Sequence, residues 1–219
     1  HLVGLMMDGL QEQGLWEDTV FIYASDHGEN IGDHDHMDHV FSLYGATGRI
    51  PLLIHGPDWF GQGASDDRPV SIADLFPTVL EIAGVDTDSY GSQGLSLLSE
   101  DIPHDRAIVS EYYWPAQALG VFSEEDQSSA RLDPHRRRIR SIIVEDRKLV
   151  WGSDGRHELY DLRDDPHEQN NLLQTGGQHA KRSEELLRSL EARLLSTLEN
   201  LEEERPVEPA GINPAELSE

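Results

Sequence analysis

Thr19-Val20-Phe21-Ile22-Tyr23-Ala24-Ser25-Asp26-His27-Gly28 is the stretch that decides how this chain folds. Its first six residues form a continuous apolar and β-branched run, the pattern of a strand buried on both faces. The run breaks at Ser25, so Asp26 and His27 stand at the carboxyl end of the strand. In open α/β sheets that is where ligands bind. A carboxylate and an imidazole side by side can both reach one divalent cation, and Gly28 leaves room for a ligand to approach the backbone. The dipeptide also reads more plainly, as a turn-capping Asp26 followed by a surface His27.

Working outward, Leu2 to Leu15 carries apolar residues at Val3, Met6, Met7 and Leu10, which is helical spacing, and Gly14 supplies the stop. A second buried strand runs from Ile50 to Ile54. Ser71 to Ala83 reads as a helix with Gly84 beyond it, which puts Pro77 in the first turn or at a kink. Helix, strand, loop, strand, helix is the grammar of an α/β fold with a buried, mostly parallel sheet flanked by helices. From Ala107 the pattern changes. Ala107–Tyr113, Ile139–Val144, Lys148–Trp151 and Glu158–Leu162 are short strand patterns separated by turns, as in a small C-terminal antiparallel sheet. Ser123 to Arg138 reads as an exposed loop. Ala180 to Leu201 is an amphipathic helix with Leu186, Leu187, Leu190, Leu194, Leu195, Leu198 and Leu201 on one side. The expected organisation is therefore an α/β part over residues 1–105, a small antiparallel subdomain over 106–175, a helix over 176–203 and a disordered tail over 204–219.

Charge narrows the partners. The chain carries 42 Asp+Glu against 17 Lys+Arg, a net charge of −25, and its only lysines are Lys148 and Lys181. Such a field repels nucleic acid and anionic lipid, and the single basic run, Arg136-Arg137-Arg138 with Arg140, is too short to reverse that. No segment approaches membrane-spanning length. Acid-rich, Lys-poor surfaces suit proteins that stay hydrated in concentrated salt, and they also occur in ordinary acidic proteins. Cys is absent, which removes disulfides, thiolate zinc sites and a Cys nucleophile from these residues. The chain opens at His1, inside a helical pattern and without Met. It reads as a fragment, so the residues give no address in the cell.

Gly32-Asp33-His34-Asp35-His36-Met37-Asp38-His39 packs Asp and His into alternation. Imidazole and carboxylate together suit zinc or manganese, so this is either a metal-binding loop of its own or a solvated acidic loop with incidental histidines.

Taken in order, Ser25-Asp26-His27-Gly28-Glu29, Gly32-Asp33-His34, His39, Leu43-Tyr44 and Arg49-Ile50-Pro51-Leu52 resemble the sulfatase family. Ile72-Ala73-Asp74-Leu75-Phe76-Pro77-Thr78 looks like the family's Asp-Leu-x-Pro-Thr helix start. Glu158-Leu159-Tyr160-Asp161-Leu162, with Asp165-Pro166 and Glu168-Gln169-Asn170-Asn171-Leu172, looks like its C-terminal segment. The resemblance spans roughly residues 2 to 173. It implies the alkaline phosphatase superfamily fold and the hydrolysis of a sulfate ester. Asp26 and His27 match the family's late pair of metal ligands, usually for calcium, with magnesium, manganese or zinc as alternatives. His39 falls where many members carry a Lys, and some a His, that contacts the sulfate ester. It is the expected catalytic residue, with His34 as a further substrate contact. A His there brings a pH dependence that Lys lacks.

The family's nucleophile is a formylglycine made from Cys or Ser in a Cys/Ser-x-Pro-x-Arg stretch, and none is present here. The resemblance therefore places the formylglycine upstream of His1 and expects the fragment alone to be inactive. The substrate implied is a sulfate-ester small molecule or a sulfated glycan. Tyr112–Gln117 and Ser123–Arg138 are the segments expected to select it. A phosphodiesterase, phosphonate hydrolase or phosphoryl transferase of the same superfamily is the alternative, and a non-catalytic homologue that binds anions or partners is the second.

Overall fold

A computed structural model describes residues 1–57, 63, 65–86, 91–113, 115–121, 123, 129–174 and 178–203. The tail expected over 204–219 lies outside them. The chain forms two compact units: His1–His39 with Tyr44–Asp67, and Val40–Leu43 with Arg68–Glu219.

In the first unit, helix α1 (Leu2–Glu12) closes where the sequence says it should. Gly14 takes φ +67°, a left-handed conformation that costs glycine little, and the N–H of Leu15 donates to the Leu10 carbonyl at 2.9 Å. Strand β1 (Phe21–Ala24) pairs with β4 (Leu52–His55), with Phe21 opposite His55 and Tyr23 opposite Leu53. Between them lie the short strands β2 (Asn30–Ile31) and β3 (Met37–Asp38) and a single helical turn, α2 (Gly45–Gly48).

One pairing is defined and one expectation corrected here. A mostly parallel sheet leaves the sense of individual pairs open, and β1 and β4 do not run parallel: their pair is antiparallel. A parallel pair needs a crossover, usually a full helix. The connection here holds a hairpin and one helical turn, and it brings the chain back in the opposite direction. Nor are the strands buried on both faces: Tyr23 is 37% and Leu53 64% exposed. They share one face of the ribbon, since directly opposed residues point the same way. Trp16 covers the far end of that face by stacking on His55, with ring centroids 3.8 Å apart, and leaves the Tyr23–Leu53 end open.

In the second unit, Ser71 starts the helical segment with a capping box. Helix α3 (Leu75–Ile82) carries Pro77 in its first turn, where no intrahelical N–H is needed, and ends against Gly84 at φ +70°. Strands β5 (Ile108–Tyr112), β6 (Ile139–Val144), β7 (Arg147–Gly152) and β8 (Glu158–Asp161) form the expected antiparallel sheet in chain order. A short helix, α4 (Pro115–Leu119), follows β5. Helix α5 (Gln178–Glu203) lays Leu190 and Leu194 on Ile142, Leu149 and Leu159, the core of this unit. Each such fully buried aliphatic side chain contributes about 1.5–3 kcal/mol. Leu195 is not part of that stripe and is 59% exposed. One residue beyond Leu194 is a 100° turn around the helix, off the buried face. The segment read as an exposed loop, Ser123 to Arg138, contains a 3₁₀ helix at Ala130–His135, started by Ser129, whose hydroxyl accepts from the Arg131 N–H at 3.3 Å. Ser-capped local bonding gives this polar stretch a structure that hydropathy does not reveal. Residues 124–128 of that loop lie outside the described residues. No helix among the described residues is long and apolar enough to cross a membrane.

Candidate functional site

The site is built on the end of β1 and on the β2–β3 hairpin. Asn30 pairs with Asp38 and Ile31 with Met37, and Asn30 is 1% exposed while its side-chain amide donates to the Asp38 carbonyl at 2.6 Å. That bond pins the hairpin. Continuing its register by one step sets Glu29 opposite His39, on the hairpin face away from Asn30.

The geometry follows that register. Oε2 of Glu29 lies 3.3 Å from Nδ1 of His39, and Oδ1 of Asp38 lies 2.7 Å from the same nitrogen. The His27 and His39 rings stack with centroids 4.1 Å apart. The ligating atoms of His27, Glu29 and His39 lie within 4.8 Å of one another, near enough to share one ion. Asp26 completes the neighbourhood, with Oδ2 3.8 Å from Nε2 of His27. Its carboxyl is held below the ordinary aspartate range, chiefly by the backbone N–H of His27, then by its own N–H and the adjacent imidazole. Asp26 is therefore an anion, the state in which a carboxylate ligates.

His27 is oriented from behind. Its Nδ1 donates to the Gly28 carbonyl at 2.8 Å, which leaves Nε2 as the nitrogen that can turn to a cation. Gly28 answers a different need from the one its position suggests. A Cβ there would lie 2.0 Å from the Ala46 carbonyl oxygen, and its N–H donates to the Thr47 carbonyl at 2.8 Å. The close approach is by the chain's own α2 turn, not by a ligand.

Of the expected site residues, Asp26, His27 and His39 come together. His34 stacks on Tyr44 instead, with centroids 3.7 Å apart and rings 9° from parallel, and is not one of the three side chains that could share an ion. The sequence motif that contains Glu29 assigns it no role. Only the hairpin register brings it to His39, and two-residue strands leave no periodic signal in the sequence. The backbone is also unusual here. His34, Asp35, Asp38 and Phe41 all take positive φ, between +49° and +71°. Non-glycine residues in that region cluster at functional sites, because the surrounding structure must hold them there.

Residues 1–85 match the family model described as Sulfatase. The chain is 32% identical over 72% of its length to the uncharacterized sulfatase YidJ of Escherichia coli, covering 28% of that protein. The chain belongs to the sulfatase family. It is 31% identical over 78% of its length to the multifunctional alkaline phosphatase superfamily protein PehA of Trinickia caryophylli, covering 33% of it. Among solved structures, a protein in complex with its substrate D-glucosamine-2-N,6-O-disulfate superposes on 90% of this sulfatase-family chain and on 38% of its own, with TM-score 0.63 and 25% identity. The fold is accordingly that of the alkaline phosphatase superfamily, with mixed helix and sheet plus a small antiparallel sheet. The chain spans about a third of the length of the curated relatives it matches.

Proposed function

We propose that this chain supplies one part of the active site of a sulfate-ester hydrolase, the part that holds a divalent cation and steadies the leaving oxygen. The observation that carries the reading is the convergence of His27, Glu29 and His39 beside Asp26, at the end of β1, within the stretch that matches the sulfatase family.

The residues fit a cation. Asp26 offers an anionic oxygen, and His27 offers Nε2, its other nitrogen being committed to the Gly28 carbonyl. Calcium is the family expectation, and the imidazoles within reach make zinc or manganese the alternative. A bound divalent cation would polarise a sulfate oxygen as a Lewis acid. His39 does the rest of the work assigned here. Its Nδ1 hydrogen-bonds Oε2 of Glu29, with Oδ1 of Asp38 2.7 Å away, so Nε2 is the nitrogen left to face the departing alcohol oxygen, to which the protonated ring can donate. Glu29 steadies the same ring from across the hairpin. The nucleophile, a formylglycine on this reading, comes from residues outside these 219. A sulfate-ester small molecule or a sulfated glycan is the substrate proposed. The disulfated glucosamine held by a similar solved structure supports the second. The likeness to PehA, by its name an alkaline phosphatase superfamily protein, keeps a phosphate ester as the competing reading.

The test is turnover of an aryl sulfate, a glucosamine 6-sulfate and an aryl phosphodiester by the complete gene product, with its metal content measured. Sulfate turnover abolished by Asp26→Ala, with the fold intact, is the expected result. An Asp26→Ala protein as fast as wild type, or hydrolysis confined to the phosphodiester, overturns the reading.

A further inference from the structure

The basic run Arg136-Arg137-Arg138 with Arg140 is not uniform. Arg136 is engaged by Asp133 at 3.2 Å, Arg137 by Glu158 at 2.8 Å, and Arg140 by Glu111 at 2.5 Å. Those charges are answered within the chain. Arg138 is treated differently: its guanidinium lies over the Tyr113 ring, 5.1 Å from the centroid, and its Nη1 donates to the Tyr113 hydroxyl at 3.0 Å. Both residues are exposed, Tyr113 by 45%. The backbone beneath is fixed from both sides, since the Arg138 N–H donates to the Ser153 hydroxyl at 3.0 Å and the Ser153 N–H donates to the Arg138 carbonyl at 3.0 Å.

We infer that Arg138 and Tyr113 form a recognition subsite for a sulfated sugar, built from residues other than His27, Glu29 and His39 and not engaged in bond breaking. In a chain of net charge −25, an anionic ligand is repelled except where a cation is left uncancelled. Within the run, Arg138 is the arginine that meets no carboxylate among the described residues. Stacking keeps the guanidinium extended and leaves most of its five N–H donors for an oxyanion, which a sulfate group accepts in bidentate fashion. The exposed Tyr113 ring offers an apolar face beside that charge, matching a ligand with C–H surface and a sulfate at one edge, as in a sulfated pyranose. Tyr113 and Arg138 belong to the two segments that the sequence marks as substrate-selecting, and the Arg138–Tyr113 contact joins them.

The inference rests on the sulfated-glycan form of the proposed function, but its test does not require turnover. Binding of N,6-O-disulfated glucosamine to the full chain is measured by calorimetry, with N-acetylglucosamine and inorganic sulfate as comparison probes. The disulfated sugar should bind best. Arg138→Ala should weaken it roughly tenfold or more, the size of a lost charge-assisted contact. Arg138→Lys should recover only part, because the planar fork is gone. Arg163→Ala, at an arginine paired with Asp146, should leave binding unchanged. Equal binding by wild type and Arg138→Ala overturns the subsite. Inorganic sulfate binding as tightly as the sugar overturns the sugar-specific part. A chain that binds in this way without hydrolysing sulfate esters would sink the proposed function and leave the subsite standing.

Discussion

Nζ of Lys148 lies 2.8 Å from Oε1 of Glu168, and both side chains are 3% exposed. One of the chain's two lysines is thus spent inside the second unit. Burial pushes the Lys148 ammonium below the ordinary lysine range, and Glu168 works against that shift. A buried pair of this kind is worth little against an apolar replacement, but either half alone is a buried unpaired charge.

Glu168→Ala and Lys148→Met should therefore each destabilise the chain by about 3–5 kcal/mol. The double variant Lys148→Met/Glu168→Leu should recover most of the loss. Urea unfolding of the four proteins checks this. A double variant no more stable than the worse single one would show that the pair contributes something beyond charge compensation.

A second prediction concerns Asp74, which is fully buried and takes two 2.7 Å bonds from the Arg106 guanidinium, with further N–H donors from Ser71 and Leu95 at 2.7 and 2.8 Å. Thr78 adds a bond to the Asp74 carbonyl at 2.6 Å. The Asp-Leu-x-Pro-Thr signature is accounted for here by structure, not chemistry. Arg106→Ala should lower unfolding stability by about 3–5 kcal/mol, because it strands a buried carboxylate. Gly94→Ala should also destabilise, since its Cβ would meet the Ala73 carbonyl oxygen at 2.2 Å. Either variant melting like wild type would refute that account.

Asp165 sets a dependence on acid. Its slight burial would raise the carboxyl, but the N–H groups of Gln169 and Asn170, at 3.0 and 2.7 Å, outweigh it and hold the group below the ordinary aspartate range. A depressed folded-state value means that the unfolded chain binds the proton first. The stability is present above about pH 4 and is lost as pH falls through the folded value. Asp165→Asn should flatten that acid limb in denaturation curves taken between pH 5 and pH 2. An unchanged limb would move the effect to another carboxyl.

At the site, His39→Lys and His39→Ala separate donor chemistry from packing. In the complete gene product, Lys should keep much of the sulfate turnover and Ala should lose on the order of a hundredfold or more, the usual range for a positioned acid. Glu29→Gln should lose less, because the amide oxygen of the new side chain can still accept from Nδ1 and the Asp38 carboxylate stays beside the same nitrogen. Wild-type rates in His39→Ala would reduce the residue to part of a solvated loop.

The charge of −25 predicts the response to salt. The melting temperature should climb as KCl is raised from low to molar concentration, since screening removes self-repulsion. A flat or falling curve would mean that local ion pairs outweigh the overall field.

The sequence by itself determined what periodicity and punctuation carry. The meander of β5 to β8 was legible because each strand is a short apolar run between turns. The ends of α1 and α3 were legible because Gly14 and Gly84 take the left-handed conformation at a helix stop. Asp26, His27 and His39 were singled out by ordered motifs, and the structure brings their side chains close together. Tertiary structure decided the rest. The antiparallel sense of β1 against β4 depends on how the chain returns between them, which no local pattern records. Glu29 joined the site, and Gly28 was turned toward Ala46, through backbone pairings between residues far apart in the chain. Leu195 was separated from Leu194 by helix geometry against a particular sheet. Arg138 was distinguished from its neighbouring arginines by which of them found a carboxylate among the described residues. Periodicity reports the environment of one segment, whereas register, close approach and charge pairing arise between segments and exist only once they meet.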